Sequence, residues 1–178
     1  MFNPADIDAA LVQYDISQYP ALIQGVMGLD PGSGVSSFGI VVVRFVDGLI
    51  RVAYADEHRR SDHSEMLSVV WDLVERHNVT KVLVDASAPS FIRALKLQLG
   101  ERSDYENVER EVKRLLYHVK FLLENKYLQI HPSMDKLITA LRTSWAKDGV
   151  LDKEVTSHND VLDAFASMNV SINGFETI

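Results

Sequence analysis

Residues 26–57, VMGLDPGSGVSSFGIVVVRFVDGLIRVAYADE, decide the fold. VMGLD (26–30) is a short apolar run that ends in an acid and meets Pro31-Gly32-Ser33-Gly34, a strong turn signal. FGIVVVRFV (38–46) is dense in β-branched residues, and Asp47-Gly48 is a hairpin dipeptide. LIRVAYADE (49–57) alternates apolar and polar at period two, as a half-buried strand does. The stretch therefore predicts three strands in an antiparallel meander. Beyond it, Ser61/Asp62 open a helix whose apolar face is Met66, Val69, Val70, Leu73 and Val74. KVLVDA (81–86) reads as a buried strand, again ending in an acid, and Pro89 starts a helix through Leu99. A polar break over 100–104 is followed by a predicted helix over 105–124, a short strand at YLQIHP (127–132), a helix over 134–146, a loop at LDKEVTS, and a last helix over 157–170. Upstream, residues 4–17 predict an amphipathic helix and 18–24 a loop. Strands alternating with helices after a meander predict an α/β domain: a mixed sheet of about five strands, the meander plus parallel strands, flanked by helices.

A chain of 178 residues suits one domain. With 47% hydrophobic and 24% charged residues it is neither disordered nor fibrous. No apolar run approaches membrane-spanning length, so no membrane partner is expected. The N-terminus carries acids where a signal peptide needs basic and apolar stretches. The absence of cysteine excludes a disulfide scaffold, a thiolate zinc site and a cysteine nucleophile. These features predict a cytoplasmic protein. The net charge of −7 is unevenly spread. Residues 1–85 carry 6 basic and 12 acidic residues, 86–153 carry 12 and 9, and 154–178 carry none and 4. A middle section of net +3 between acidic ends is the part able to attract phosphates.

Four aspartates stand out by position. Asp30 and Asp85 end strands, where ligands collect in open α/β sheets. Asp160 and Asp163 lie three apart on the last predicted helix and so share a face. Hard divalent cations, Mg²⁺ or Mn²⁺, take carboxylate ligands of this kind. Each acid also has a plainer reading. Asp30 suits an Asx-turn before Pro31-Gly32, Asp85 could cap the next helix, and Asp160 favours a helix dipole. Asp163, inside the apolar VLDAFA, is hardest to explain that way. His158 could sit beside the ions or lie on the surface. Arg93 and Lys96, after the Asp85 strand, and Arg142, Lys147 and Lys153, before the last helix, are candidate phosphate contacts or ordinary solvated charges. The GLDPGSG turn lacks a Gly-Lys-Ser/Thr and the dinucleotide-binding spacing, so a phosphate loop is unsupported.

The element order is also the layout of the ribonuclease H fold. GLDPGSG (28–34), VLVDASAP (82–89) and HNDVLDAFA (158–166), with LRTSWAKDGVLDKEVTSHNDVLDAF (141–165), resemble the nuclease domain of viral large terminases, from about residue 25 to 170. The resemblance implies a ribonuclease H-like endonuclease that cuts concatemeric viral DNA during genome packaging, with two Mg²⁺ or Mn²⁺ ions. It implies that Asp30 bridges both ions, that Asp85 binds one, and that Asp160, Asp163 or both supply the third ligand. It implies residues 25–178 as the nuclease domain and residues 1–24 as an N-terminal helix and connecting segment. The implied partners are double-stranded DNA, a terminase ATPase domain, the small terminase subunit and the portal, in the host cytoplasm. Holliday-junction resolvases of the same fold also end in D-x-x-D-A and remain an alternative. So does a non-catalytic or nucleotide-binding module of this fold, though sugar kinases and actin-like ATPases, which share it, need a second similar domain that 178 residues do not hold.

Overall fold

The computed structural model describes residues 1–17, 23–32, 37–59, 62–85, 88–100, 104–108, 112–148 and 150–172. Ser33, Gly34, Ser61, Ala86 and Ser87, which the sequence reading placed at turns and element ends, lie outside the described residues. The elements run α1 (Pro4–Ala10), β1 (Gly25–Asp30), β2 (Phe38–Val46), β3 (Leu49–His58), α2 (His63–His77), β4 (Val79–Asp85), α3 (Pro89–Leu99), β5 (Asp104–Val108), α4 (Val112–Glu124), β6 (Leu128–Gln129), α5 (Asp135–Thr143), β7 (Ala146–Lys147), β8 (Val150–Leu151) and α6 (Asn159–Ile172). Among the described residues no helix is long and apolar enough to cross a membrane.

The main sheet has six strands in the order β5-β4-β1-β2-β3-β6, with β2 running against the rest. The expected meander is present. Asp47 and Gly48 take φ of 53° and 76°, the left-handed pair that a tight hairpin turn requires. Side chains alternate between two cores. Met27, Leu29, Ile40 and Val42 pack with Met66, Val70, Leu73, Phe91 and Leu95 of α2 and α3. Val41, Val43, Ile50 and Val52 pack on the other face with Leu116, Leu137, Val161, Ala164 and Phe165 of α4, α5 and α6. A bulge breaks this alternation. The β2–β3 register shifts between Val42 and Val43, so Val43 pairs with Val52 but Val42 pairs with Tyr54. Ala53 is the extra residue, and beyond it every β3 side chain has changed face.

Three helix predictions need correction. The first helix stops at Ala10, because Leu11 turns extended and bridges in parallel with Ile130, and Tyr14 Oη donates to the Val52 and Gln129 carbonyls. Residues 105–108, expected to begin a long helix, form β5 together with Asp104 of the expected break, on the outer edge of β4. The open parallel edge of β4 supplies hydrogen bonds along one side of the segment, and of DYENV only Glu106 is a strong helix former, so little opposes the strand. The helix expected to reach Ala146 ends at Thr143, and Ala146–Lys147 pairs with Val150–Leu151 as the small β7–β8 hairpin, which takes Ala146 from the expected helix and Leu151 from the expected loop. Elsewhere local chemistry sets the ends. The Asp62 carboxylate caps α2 by accepting from the Glu65 amide at 3.0 Å, and Asn78 closes α2 at φ 48°.

Candidate functional site

The sheet register lines up four positions at one end. Leu29 pairs with Val84, so Asp30 and Asp85 are the next residues of adjacent parallel strands, at their carboxyl ends. Asp30 pairs with Gly39 on β2, and Gly39 pairs with Glu57 on β3. The row Asp85, Asp30, Gly39, Glu57 thus crosses the sheet. The side chain of Asp85 lies outside what the structure describes.

Helix α6 is laid across this row because two glycines admit its backbone. A Cβ on Gly39 would stand 2.1 Å from the Asp160 carbonyl oxygen, and one on Gly28 would stand 2.2 Å from that of Ala164. Gly39 therefore seats the first turn of α6 between Asp30 and Glu57. The Ser37 amide donates to Asp160 Oδ2 at 3.1 Å and fixes that carboxylate at the helix head. Asp163, one turn on, meets Lys153 Nζ at 2.7 Å.

Asp30, Asp160 and Asp163 are all buried, at 3%, 7% and 7% exposure, which is unusual for carboxylates and marks them as placed. Asp30 Oδ1 also accepts from the Gly32 amide at 3.0 Å, so its turn role is real and coexists with burial. Burial pushes the Asp160 carboxyl up, and the charges of Glu57 and Asp163 push it further; Lys153 and the Ser37 amide act in the opposite sense. Glu57 Oε1 accepts from His158 Nδ1 at 2.9 Å, while Glu57 Oε2 is buried without a hydrogen-bond partner among the described residues. Among the described residues, no three acidic or imidazole groups already stand close enough together to hold a metal ion. The donors nevertheless fit a hard divalent cation. All are carboxylate oxygens, their mutual repulsion is expressed at Asp160, and among the described residues Glu57 beside them leaves one buried oxygen unsatisfied.

The structure thus brings Asp30, Asp160 and Asp163 to one end of the sheet, with the strand that carries Asp85 ending alongside. His158 is half-buried and tied to Glu57. The basic candidates divide. Lys153 is paired with Asp163 and Arg142 with Asp8 of α1 at 2.5 Å. Lys147 is exposed on the β7–β8 hairpin, and Arg93 and Lys96 are exposed on α3, which covers the sheet face opposite α6. The sequence reading missed Glu57. Strict alternation places Glu57 on the opposite face from Ile50 and Val52, and only the bulge at Ala53 turns it toward α6. The signal was its position, the last acid of a strand whose hairpin partner begins at Phe38-Gly39.

The sequence model of the family described as Terminase RNaseH-like domain matches residues 27–169. Among curated protein sequences, none matches the chain. Among solved structures, the large terminase nuclease from thermophilic phage G20c superposes with a TM-score of 0.71 at 14% identity, covering 93% of this chain and 96% of that one. Forms of that nuclease hold magnesium or cobalt. The large terminase from thermophilic bacteriophage D6E, in complex with ADP, gives a TM-score of 0.77 at 16% identity, covering 93% of this chain but 43% of that one. The large terminase nuclease domain from bacteriophage SPP1, with bound Mn, gives 0.68 at 16% identity, covering 90% and 92%. At such identities these likenesses are likenesses of fold.

Proposed function

Since the chain belongs to the terminase RNaseH-like domain family, we propose that it is a divalent-metal-dependent DNA endonuclease of the large terminase type, cutting concatemeric viral DNA during packaging. One observation carries the reading. Strands β1 and β4, adjacent and parallel, end together in Asp30 and Asp85, and two glycines let α6 deliver Asp160 and Asp163 to the same end. Three buried acids from two elements, beside the strand end that carries Asp85, cost stability, and a shared cationic ligand offsets that cost.

In this reading Asp30, Asp85, Asp160 and Asp163 hold Mg²⁺ or Mn²⁺, two ions in all. Divalent ions bound there supply Lewis acidity for the attacking water and for the leaving 3′-oxygen. The chain's own residues do the rest. Asp30, fixed by the Gly32 amide, presents a carboxylate at the centre of the row. Ser37 orients Asp160, and Lys153 neutralises Asp163. In this proposal Lys147, exposed on the β7–β8 hairpin, and Lys153, once Asp163 engages an ion, neutralise backbone phosphates without reading bases. His158, beside Asp160 in sequence, is an auxiliary of the site through Glu57.

Double-stranded DNA is the substrate in this proposal. An ATPase domain, the small terminase subunit and the portal are the partners, in the host cytoplasm, with residues 25–178 as the nuclease domain and residues 1–24 as the segment leading into it. The test is incubation of supercoiled plasmid with the protein in Mn²⁺, in Mg²⁺ and in chelator. Nicking and linearisation with either metal and none with chelator are expected. Unchanged plasmid throughout would end the reading, and cleavage confined to four-way junctions would move it to a resolvase.

A further inference from the structure

We propose that Glu57 is a positioning residue of this site, acting through His158 to hold the head of α6 and with it Asp160. The inference rests on the metal-dependent reading above and extends it to a residue outside the four acids.

Glu57 is a fixed anchor. Its strand pairs it with Gly39 in the row that carries Asp30, and Lys136 Nζ of α5 clamps its carbonyl at 2.8 Å while bonding Asp56 Oδ1 at 2.5 Å. From that anchor the carboxylate reaches across the sheet to His158 Nδ1 at 2.9 Å. His158 is the residue immediately before α6, and it takes φ 52°, a left-handed conformation that a histidine keeps only where its surroundings hold it. The preceding residues are tied to α5, where Thr143 Oγ1 accepts from the Ser157 amide at 3.0 Å. The link from Glu57 to His158 is therefore the side-chain tie between the sheet and the residue that aims the helix. Two residues further on, the Asp160 backbone rests on Gly39, the strand neighbour of Glu57. Losing the tie frees His158 to leave its strained conformation, and the Asp160 carboxylate loses its fixed place.

The test is calorimetric titration of MnCl₂ into the full chain as wild type, Glu57→Ala, His158→Ala, the double variant and His158→Asn, with the metal-free melting temperature of each. An asparagine tolerates positive φ and carries its amide nitrogen where histidine carries Nδ1, so His158→Asn restores the donor. Each alanine variant is expected to weaken Mn²⁺ binding about 10- to 100-fold, as loss of a group supporting a metal ligand does. The double variant is expected to lose no more than either single one, because one link is broken in all three. His158→Asn is expected to bind as wild type. Wild-type affinity in both alanine variants, losses that multiply in the double, or a lowered melting temperature with unchanged affinity would each overturn the inference. If Glu57→Ala does not fold, the two His158 variants decide by the same criteria. A wild-type chain that binds no Mn²⁺ removes the nuclease reading and this inference with it.

Discussion

Asp30 holds a turn and lies at the centre of the candidate site. Its Oδ1 accepts from the Gly32 amide, yet the residue is almost wholly buried at the end of β1. An asparagine keeps that acceptor and removes one charge from a crowded set. Asp30→Asn is therefore expected to bring plasmid cleavage down to the level seen with chelator. Its metal-free melting temperature should hold or rise by up to about 2–4 °C, the shift that relief of ~1 kcal/mol gives in a domain of this size. Retained cleavage would leave Asp30 as a turn residue alone. His77 gives a separate pH prediction. Burial, then the nearby Arg44 guanidinium, lower its pKa from 6.5 to about 4. A folded-state pKa below the unfolded one means the native state binds fewer protons between those values. The stability from neutral His77 is thus fully present above pH 6.5 and is lost as pH falls toward 4. The loss is on the order of 2–3 kcal/mol. Melting curves from pH 7 to 4 should fall less steeply for His77→Gln than for the wild type, and parallel curves would refute the assignment.

Helix α6 is positioned by absence of side chains as much as by contacts. Gly28 and Gly39 let its backbone approach β1 and β2 closely, and Val161, Leu162, Ala164, Phe165 and Met168 fill one core beneath it. Gly28→Ala would thrust a methyl to 2.2 Å from a carbonyl oxygen and 2.6 Å from Met168 Cγ. The expected cost is at least ~3 kcal/mol, the upper end of overpacking, read as a fall in melting temperature. Gly39→Ala strikes the Asp160 carbonyl instead and should displace the head of α6, so Mn²⁺ binding should fall in proportion more than stability. Gly48→Ala is the control: its Cβ meets open space, and only the φ of 76° opposes it, at about 1 kcal/mol. Equal melting temperatures for Gly28→Ala and Gly48→Ala would show that the close helix–sheet approach is absent in solution.

On the proposed function, the charge field of the molecule sets how firmly it would hold DNA. The net charge of −7 opposes DNA at long range, and two of the five basic candidates, Arg142 and Lys153, are already ion-paired with Asp8 and Asp163. Arg93, Lys96 and Lys147 remain exposed. Arg93 and Lys96 stand on the sheet face opposite α6, which leaves Lys147 and, once Asp163 engages an ion, Lys153; two phosphate contacts predict a slope of about −2 in log affinity against log salt, with no preference among duplex sequences. Fluorescence anisotropy with short duplexes across salt concentrations measures it. A slope near −8, or strong selection of a four-way junction over linear duplex, would contradict the expectation. Weak intrinsic affinity suits a nuclease tethered to a partner that already holds DNA, since tethering raises the effective concentration.

Local chemistry by itself determined the meander, the Asp47-Gly48 turn, the Asp62 cap, the Pro89 helix start and the positions of four acids. Each depends on neighbours within a few residues: β-branched runs, turn dipeptides, helical spacing. Three things were decided only by tertiary structure. Residues 104–108 became a strand because β4 offered an unpaired edge, which no local propensity records. Arg142 and Lys153, indistinguishable in sequence from solvated charges, found acids on α1 and α6. Glu57 joined the site because one extra residue in β3 reversed the alternation of everything after it, and period-two reading carries no memory of a bulge. The physical reason is the same in each case: pairing with a remote element contributes hydrogen bonds, burial or charge compensation that outweigh preferences of a fraction of a kcal/mol per residue.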